Sequence, residues 1–247
     1  MGNPVKPRLV LLALPLLLAA CGGKPDAPVA ADPVAQAPAR EKEPDENVEK
    51  DPLLSEAKIA HVVVPEAFIT PATPAENVDS PASWRAPDGT RWLIATAKDT
   101  HRLVVYDGST GKQLRTVSGP GSELGQMQRP NGIAVIDDLV LVVERDNRRV
   151  QVFQLPDFTP LLVFGAQELK QPYGLWVRPQ KDAYEVIVSD NYMSPQNEDL
   201  PPPLAELGRR FKRYHLQRTE GGWKATSAGT FGDTGEAGAI RIAESVC

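Results

Sequence analysis

The stretch RPNGIAV at residues 129–135, followed by LVVERDN at 141–147, decides the fold because the chain repeats it. The second copy reads QPYGLWV at 171–177 and VIVSDN at 186–191, and the two Pro-x-Gly turns lie 42 residues apart. A repeat in the forties built from short strands is typical of a β-propeller, in which each repeat forms one four-stranded blade. The sequence therefore predicts an all-β propeller, in which equivalent positions of successive blades meet at one rim.

The blades share a strand–turn–strand pattern. The segment from Ile94 to Tyr106 aligns without gaps with the segment from Leu141 to Phe153, and both are rich in β-branched, alternating apolar residues. From about residue 61 the chain has room for roughly four blades, and Phe231 to Cys247 reads as the start of another. Because single rings commonly have six to eight blades, we expect residues 61–247 to form a propeller that is incomplete at its C-terminus, with a parent ring of six.

The first twenty residues read as an export signal, because basic residues precede an apolar run too short to span a membrane. The run ends in Leu18-Ala19-Ala20-Cys21, which resembles a bacterial lipobox and implies that Cys21 is lipidated. Gly22 resembles the residue found in lipoproteins that are sorted to an outer membrane. We therefore expect a lipid-anchored protein of the bacterial cell envelope, facing the periplasm or on the outer membrane. A secreted protein with an incidental cysteine is the alternative.

Residues 21–60 read as a tether, because they are rich in Pro, Ala and charged residues and hold few large apolar side chains. Removal of residues 1–20 takes away Lys6 and Arg8, leaving 25 of the 27 basic residues against 32 acidic ones, a net charge near −7. Nucleic-acid binding depends on basic residues that neutralise phosphates, so this composition argues against a nucleic-acid partner. Divalent cations are more natural partners for an acidic protein.

Polar residues recur at the predicted rim. The turns after each second strand hold Lys98-Asp99, Arg145-Asp146 and Asp190-Asn191, and the loops that enter each blade hold Asp79, Asn131 and Tyr173. If the blades stack, all of these side chains surround one end of the central channel. Acidic and basic groups together would suit a polyanion held partly by a metal ion. The alternative is that the Asp and Asn residues only form turns, for which their side chains are well suited.

Other catalytic signatures are missing from the sequence. There is no Gly-x-Ser-x-Gly nucleophile elbow, and His61, His101 and His215 lack the spacing of a zinc site. The Pro-rich, acidic stretch from Met193 to Leu207 is predicted to be a long loop on the rim face.

Two family resemblances follow from these motifs. The stretch GQMQRPNGIAV at 125–135, with RVQVF at 149–153, resembles the NHL repeat, which implies a propeller blade with a binding face. The stretch NVDSPASW at 77–84, the Ile94–Tyr106 element with GKQL at 111–114, and YGL at 173–175 resemble the β-propeller phytases.

The phytase resemblance implies a set of functional residues. Asp79 would lie near bound Ca²⁺, Lys98 would grip phosphate, Tyr173 would belong to the metal site, and Glu236 would match the first glutamate of the catalytic calcium cluster. Lys98 and Arg145 would stabilise the charge that grows in the transition state.

The function implied by this resemblance is release of phosphate from phytate (myo-inositol hexakisphosphate) or related monoesters, of the 3-phytase type. Calcium would bridge carboxylates and phosphate oxygens and activate a water molecule. The alternatives are a non-catalytic NHL-like lipoprotein that binds a protein or glycan partner, and a propeller hydrolase of the lactonase type.

Overall fold

The computed structural model describes residues 62, 64–197 and 199–246. The chain divides into two compact units, Met1–Val62 and Val63–Cys247, and all described secondary structure belongs to the second. The predicted export signal, the lipidation of Cys21 and the tether of residues 21–60 lie outside the described residues. No helix among the described residues is long and apolar enough to cross a membrane.

The described residues form twelve strands and one 3-10 helix, which confirms the all-β prediction. The strands are β1 (Val78–Arg85), β2 (Arg91–Ala97), β3 (Arg102–Asp107), β4 (Gln113–Val117), β5 (Pro130–Ile136), β6 (Leu139–Glu144), β7 (Arg149–Gln154), β8 (Thr159–Phe164), β9 (Pro172–Pro179), β10 (Tyr184–Asp190), β11 (Phe211–Thr219) and β12 (Gly222–Phe231). The 3-10 helix, Leu204–Arg209, lies in the long connection between β10 and β11.

The strands form three four-stranded antiparallel sheets, each a meander in chain order. The first sheet is β1-β2-β3-β4, the second is β5-β6-β7-β8 and the third is β9-β10-β11-β12. The expected count of roughly four blades was therefore too high for the described residues. Residues 64–77 contain no strand. The long connection from β10 to β11 means that the third sheet takes up more of the chain than the 42-residue repeat suggested.

The sheets stack in chain order, because β5 packs between β1 and β9. β6 shows how the sequence builds this core, since all six of its residues are buried. Leu139, Leu141 and Val143 join the cluster shared with the third sheet, whereas Val140 and Val142 join the cluster shared with the first. This alternation follows from the two-residue period of a strand. Each fully buried Leu or Val contributes about 1.5–3 kcal/mol of hydrophobic stabilisation.

Two glycines allow the first strands of neighbouring sheets to approach closely. A Cβ atom on Gly132 would lie 2.8 Å from the Cα atom of Gly174, and one on Gly174 would collide with the carbonyl oxygen of Glu244. Any side chain at either position would push the stacked backbones apart. The Pro-x-Gly repeat therefore marks the points of closest contact between sheets.

The register of the sheets defines equivalent positions. In each sheet, one pair of residues ends the ladder between the first and second strands at the same end. These pairs are Val78–Ala97, Pro130–Glu144 and Pro172–Asp190. Asp79, Asn131 and Tyr173 each follow the first member of a pair by one residue and are therefore equivalent. By the same register, Lys98, Arg145 and Asn191 each follow a second strand and are equivalent too. We call this end of the sheets the rim end.

Residues 232–246 contain no strand, and Phe231 is the last residue of β12. The expectation that the strands of another blade begin at Phe231 was therefore wrong. This segment nevertheless crosses the rim end of the third sheet. The Ser189 hydroxyl donates to the Glu244 carbonyl at 3.0 Å, just as the equivalent Thr96 hydroxyl donates to the Asn131 carbonyl at 2.8 Å. Glu244 therefore stands beside the third sheet as Asn131 stands beside the first.

Candidate functional site

Side chains from the first and third sheets meet at the rim end. The Lys98 ammonium lies 3.3 Å from the Asp79 carboxylate and 3.5 Å from the Tyr173 hydroxyl, and 5.4 Å from the centroid of the Tyr173 ring. Lys98 thus connects the first sheet with the third. It is only 4% exposed, whereas 32% of the Asp79 side chain is accessible. We call Asp79, Lys98, Asn131 and Tyr173 the mouth.

Asn131 is the member of the mouth that belongs to the intervening second sheet. It is fully buried, and neither its amide nitrogen nor its amide oxygen has a hydrogen-bond partner among the described residues. An unsatisfied buried polar group costs about 1–3 kcal/mol, and nearly all such groups in folded proteins are paired. The amide of Asn131 therefore points to a bound group that would complete its hydrogen bonds.

A repeated backbone hydrogen bond fixes the residues that follow each second strand. The peptide N–H of Lys98 donates to the Asn77 carbonyl at 3.0 Å, and that of Arg145 donates to the Arg129 carbonyl at 3.1 Å. Asn77 and Arg129 both adopt left-handed conformations, with φ of 47° and 44°. The third sheet repeats the bond from Asn191 to Gln171 at 2.8 Å. The loop that enters each sheet is thereby clamped to the turn that leaves its second strand.

The other predicted turn residues lie at the rim end but outside the mouth contacts described above. Arg145 is half-buried, and Asp99 and Asp146 are exposed in the turns after β2 and β6. Asp99 accepts a hydrogen bond of 3.4 Å from the Asn77 side chain, as a turn-forming aspartate does.

Asp190 is not a turn residue, contrary to the prediction. It ends β10 and is fully buried, and it accepts backbone hydrogen bonds from Lys170 and Gln171 at 3.1 and 2.7 Å. The Lys212 ammonium lies 3.1 Å from its second carboxylate oxygen. Its equivalent in the second sheet is Glu144. Asn191 does follow the strand, and its side-chain oxygen accepts the Ala243 N–H at 3.1 Å.

Glu236 lies in the strandless segment that follows β12. Its side chain is 77% exposed and forms a 2.8 Å ion pair with Arg241. The contacts of Glu244 with Ser189 and Gly174 give it the position equivalent to Asn131 and Tyr173. The sequence pattern could not reveal this, because Ala243 and Ser245 replace the proline and glycine that mark the other entries.

A second buried polar cluster lies at the rim end of the second sheet. The Arg149 guanidinium donates to the Glu144 carboxylate at 2.8 Å, and the side chains of Gln151 and Asn147 donate to it at 3.0 and 2.5 Å. Arg149 also donates to the Gln126 carbonyl at 3.0 Å. Burial raises the pKa of Glu144, and these hydrogen bonds oppose the rise without cancelling it. We call Glu144, Asn147, Arg149 and Gln151 the inner cluster; it anchors the loop between β4 and β5.

The mouth does not by itself fit a calcium site. Ca²⁺ takes six to eight oxygen ligands, several of them carboxylates. Asp79 is the one carboxylate of the mouth, and the Lys98 ammonium is already beside it. No group of three or more His, Cys, Asp or Glu side chains suited to a metal ion occurs in the described part of the chain. The mouth instead offers three hydrogen-bond donors, from an ammonium, a phenol and an amide, which suit an oxyanion.

Comparisons with known proteins give a distant structural similarity. No protein-family model matches the chain, and no curated protein matches it. Among solved structures, the chain is similar to the hydrazine synthase of Kuenenia stuttgartiensis, with 13% sequence identity and a TM-score of 0.36. The similarity covers 67% of this chain and 49% of that one, so this chain spans about half the length of that protein.

Proposed function

We propose that the three sheets are consecutive blades of a β-propeller and that the mouth lies at one end of its channel. Three features support this arrangement: the meander order of each sheet, the stacking of β1, β5 and β9, and the equivalence of positions at the rim end. In the same arrangement, Glu244 occupies the entry position of a fourth blade.

We propose that the mouth binds a phosphorylated small molecule. The observation that carries this proposal is the fully buried Asn131, whose amide has no described partner, on the sheet between Lys98 and Tyr173. Phosphate oxygens would accept hydrogen bonds from the Lys98 ammonium, the Tyr173 hydroxyl and the Asn131 amide. Lys98 is almost fully buried, so water screens its attraction to such a ligand little, and the phosphate would compete with Asp79 for the ammonium.

Inositol phosphates are the ligand class that the resemblance to β-propeller phytases adds to this proposal. Calcium-dependent release of phosphate from phytate is the corresponding activity. Because the described mouth residues do not form a calcium site, the mouth supports recognition of the substrate more directly than its hydrolysis.

Calorimetric titration of the full chain with phytate, and with uncharged myo-inositol as the matched ligand, tests the proposal. We expect phytate to bind in the absence of metal and myo-inositol to bind at least tenfold more weakly, because only phytate offers phosphate oxygens. Equal binding of the two ligands would refute phosphate recognition. Phosphate release that requires Ca²⁺ and stops with a chelator would establish a phytase-type hydrolase.

A non-catalytic propeller that binds a protein or glycan is the second candidate function. The close stacking at Gly132 and Gly174, where the NHL-like repeat recurs, favours it, because such blades build a binding face without prescribing a reaction. Phytate that binds without any phosphate release would support a purely binding role. Glycan binding that phytate does not displace would support this candidate over the first.

We also propose that the protein is anchored to the bacterial envelope through lipidated Cys21. The support is the lipobox-like stretch that ends at Cys21, which lies outside the described residues. Cys21→Ser is expected to move the protein from the membrane fraction to the soluble fraction of cells, whereas Cys247→Ser should leave it with the membranes. A membrane-bound Cys21→Ser protein would contradict lipid anchoring.

A further inference from the structure

A cavity of about 400 Å³ opens at the end of the sheets opposite the mouth. It lies between the β1–β2 hairpin of the first sheet and the β5–β6 hairpin of the second, and its wall includes Trp84, Pro87, Asp88, Trp92, Asp138 and Pro156. Its volume lies within the roughly 300–1,000 Å³ that is typical of small-molecule sites. We call it the tryptophan cavity. It shares no residue with the mouth.

The tryptophan rings form the apolar wall of this cavity. Trp84 and Trp92 pair directly across β1 and β2, with ring centroids 4.8 Å apart. The Trp92 ring also stacks on Phe158 at 6.1 Å, and the Arg115 guanidinium lies 5.0 Å from the centroids of both rings. A cation thus already lies against the Trp92 ring within the protein, as the negative potential of an aromatic face favours.

The charged residues of the wall are both aspartates. Asp138 accepts a hydrogen bond of 3.0 Å from the Trp84 indole N–H, which holds its carboxylate against the ring. Asp88 accepts the Thr90 N–H at 2.9 Å, and its hydrogen bonds to Thr90 lower its pKa. Both carboxylates are therefore held in place beside the aromatic wall. Of the neighbouring cations, Arg115 donates to the Pro156 carbonyl at 2.6 Å, and Arg85 and Arg91 are exposed at the strand ends; none of the three is part of the wall.

We propose that the tryptophan cavity binds a small organic cation whose charge is covered by alkyl groups, such as a trimethylammonium group. The aromatic wall favours a cation over a neutral group of equal shape, and the two carboxylates add a complementary charge. A primary ammonium is compact and strongly hydrated, so it would lose more hydration than a quaternary one in this largely apolar cavity. This site is independent of the phosphate-binding function proposed for the mouth.

Titration of the full chain with choline, followed by tryptophan fluorescence and calorimetry, tests this proposal. The matched ligand is 3,3-dimethyl-1-butanol, which has the shape of choline without its charge. We expect choline to bind at least tenfold more tightly than this alcohol, because cation–π attraction and the carboxylates act only on the charged ligand. Equal binding of the two, or no binding of choline, would overturn the proposal.

Variants locate the binding to the cavity. Asp138→Asn keeps an acceptor for the Trp84 indole but removes the charge, and we expect about tenfold weaker choline binding. Asp182→Asn is the control, because Asp182 is exposed in the corresponding hairpin of the third sheet, and it should bind choline as the wild type does. Equal effects of the two variants would overturn the assignment. Asp88→Asn provides a second test if Asp138→Asn proves unstable.

The trimethylammonium group could come from a free solute or from a lipid headgroup. Sedimentation with phosphatidylcholine vesicles, compared with phosphatidylglycerol vesicles, separates these sources. Binding of free choline together with selective sedimentation on phosphatidylcholine would assign a lipid headgroup. Binding of free choline without sedimentation would assign a soluble ligand, and both outcomes support the cavity as a cation site.

Discussion

The mouth and the inner cluster both bury polar side chains at the rim end of the sheets, but they differ in how those side chains are satisfied. In the inner cluster, Glu144 accepts hydrogen bonds from Arg149, Asn147 and Gln151. In the mouth, the equally buried Asn131 has no described partner. Burial alone therefore does not distinguish function from architecture. A complete network stabilises the fold, whereas an incomplete one is available to a ligand.

The largest expected effect is on the inner cluster. Arg149→Met leaves the Glu144 carboxylate buried without its charged partner, so the free energy of unfolding should fall by about 3–5 kcal/mol. Urea denaturation measures this. Arg148→Met, at an exposed position one residue earlier, is the control and should change stability by less than about 0.5 kcal/mol. A similar small loss in both variants would mean that the cluster is not structural.

The next effect concerns ligand binding at the mouth. Lys98→Met keeps the apolar stem of the side chain but removes the ammonium, so phytate binding should weaken about 10- to 30-fold. Lys112→Met, exposed at the turn between β3 and β4, is the matched control and should bind phytate normally. Calorimetry measures both. Unchanged affinity in Lys98→Met would exclude Lys98 from the phosphate site.

The comparison is sharpest between two asparagines. Asn131→Ala removes an amide with no described partner, so stability should stay the same or rise by up to about 1 kcal/mol while phytate binding weakens about fivefold. Asn147→Ala removes an amide that hydrogen-bonds to Glu144 and to the Gly121 carbonyl, so it should destabilise the protein by about 1–2 kcal/mol. Denaturation and calorimetry on both variants measure this contrast. A loss of stability in Asn131→Ala comparable to that in Asn147→Ala would remove the basis for a ligand at Asn131.

The smallest effect is the pH dependence that Glu144 contributes. Because burial raises its pKa above the ordinary value of 4.5, the folded state binds a proton that the unfolded state has already released. The contribution of this group to stability is therefore fully present below about pH 4.5 and is lost as the pH rises through the folded-state pKa. Relative to Glu144→Gln, the wild type should become less stable between pH 4 and pH 7. Unfolding free energies at several pH values would contradict this if the difference had the opposite sign.

The sequence was sufficient to predict the strands, because the alternation of apolar residues is a local signal. It also predicted which strand ends are equivalent, because the Pro-x-Gly turn recurs at the entry of two sheets. It also placed Asp79, Lys98 and Tyr173 at one rim, and Lys98 does contact both of the others, joining the first sheet to the third. It misplaced Asp190, because Asp190-Asn191 has the same residue types as the turn residues Asp146-Asn147, whereas the register pairs Asp190 with Pro172 as it pairs Glu144 with Pro130. Glu244 was missed because its position depends on backbone contacts rather than on a motif.

The close approach at Gly132 and Gly174 limits how this chain can be rearranged. A whole sheet could be duplicated or exchanged only if a glycine is kept where its first strand meets the next sheet, as Gly132 and Gly174 are here. A sheet with a larger residue at this position would lie farther from its neighbour, and the contact with the following sheet would be displaced as well. The lack of space for a Cβ atom at these positions thus limits which sheets can be exchanged in this chain.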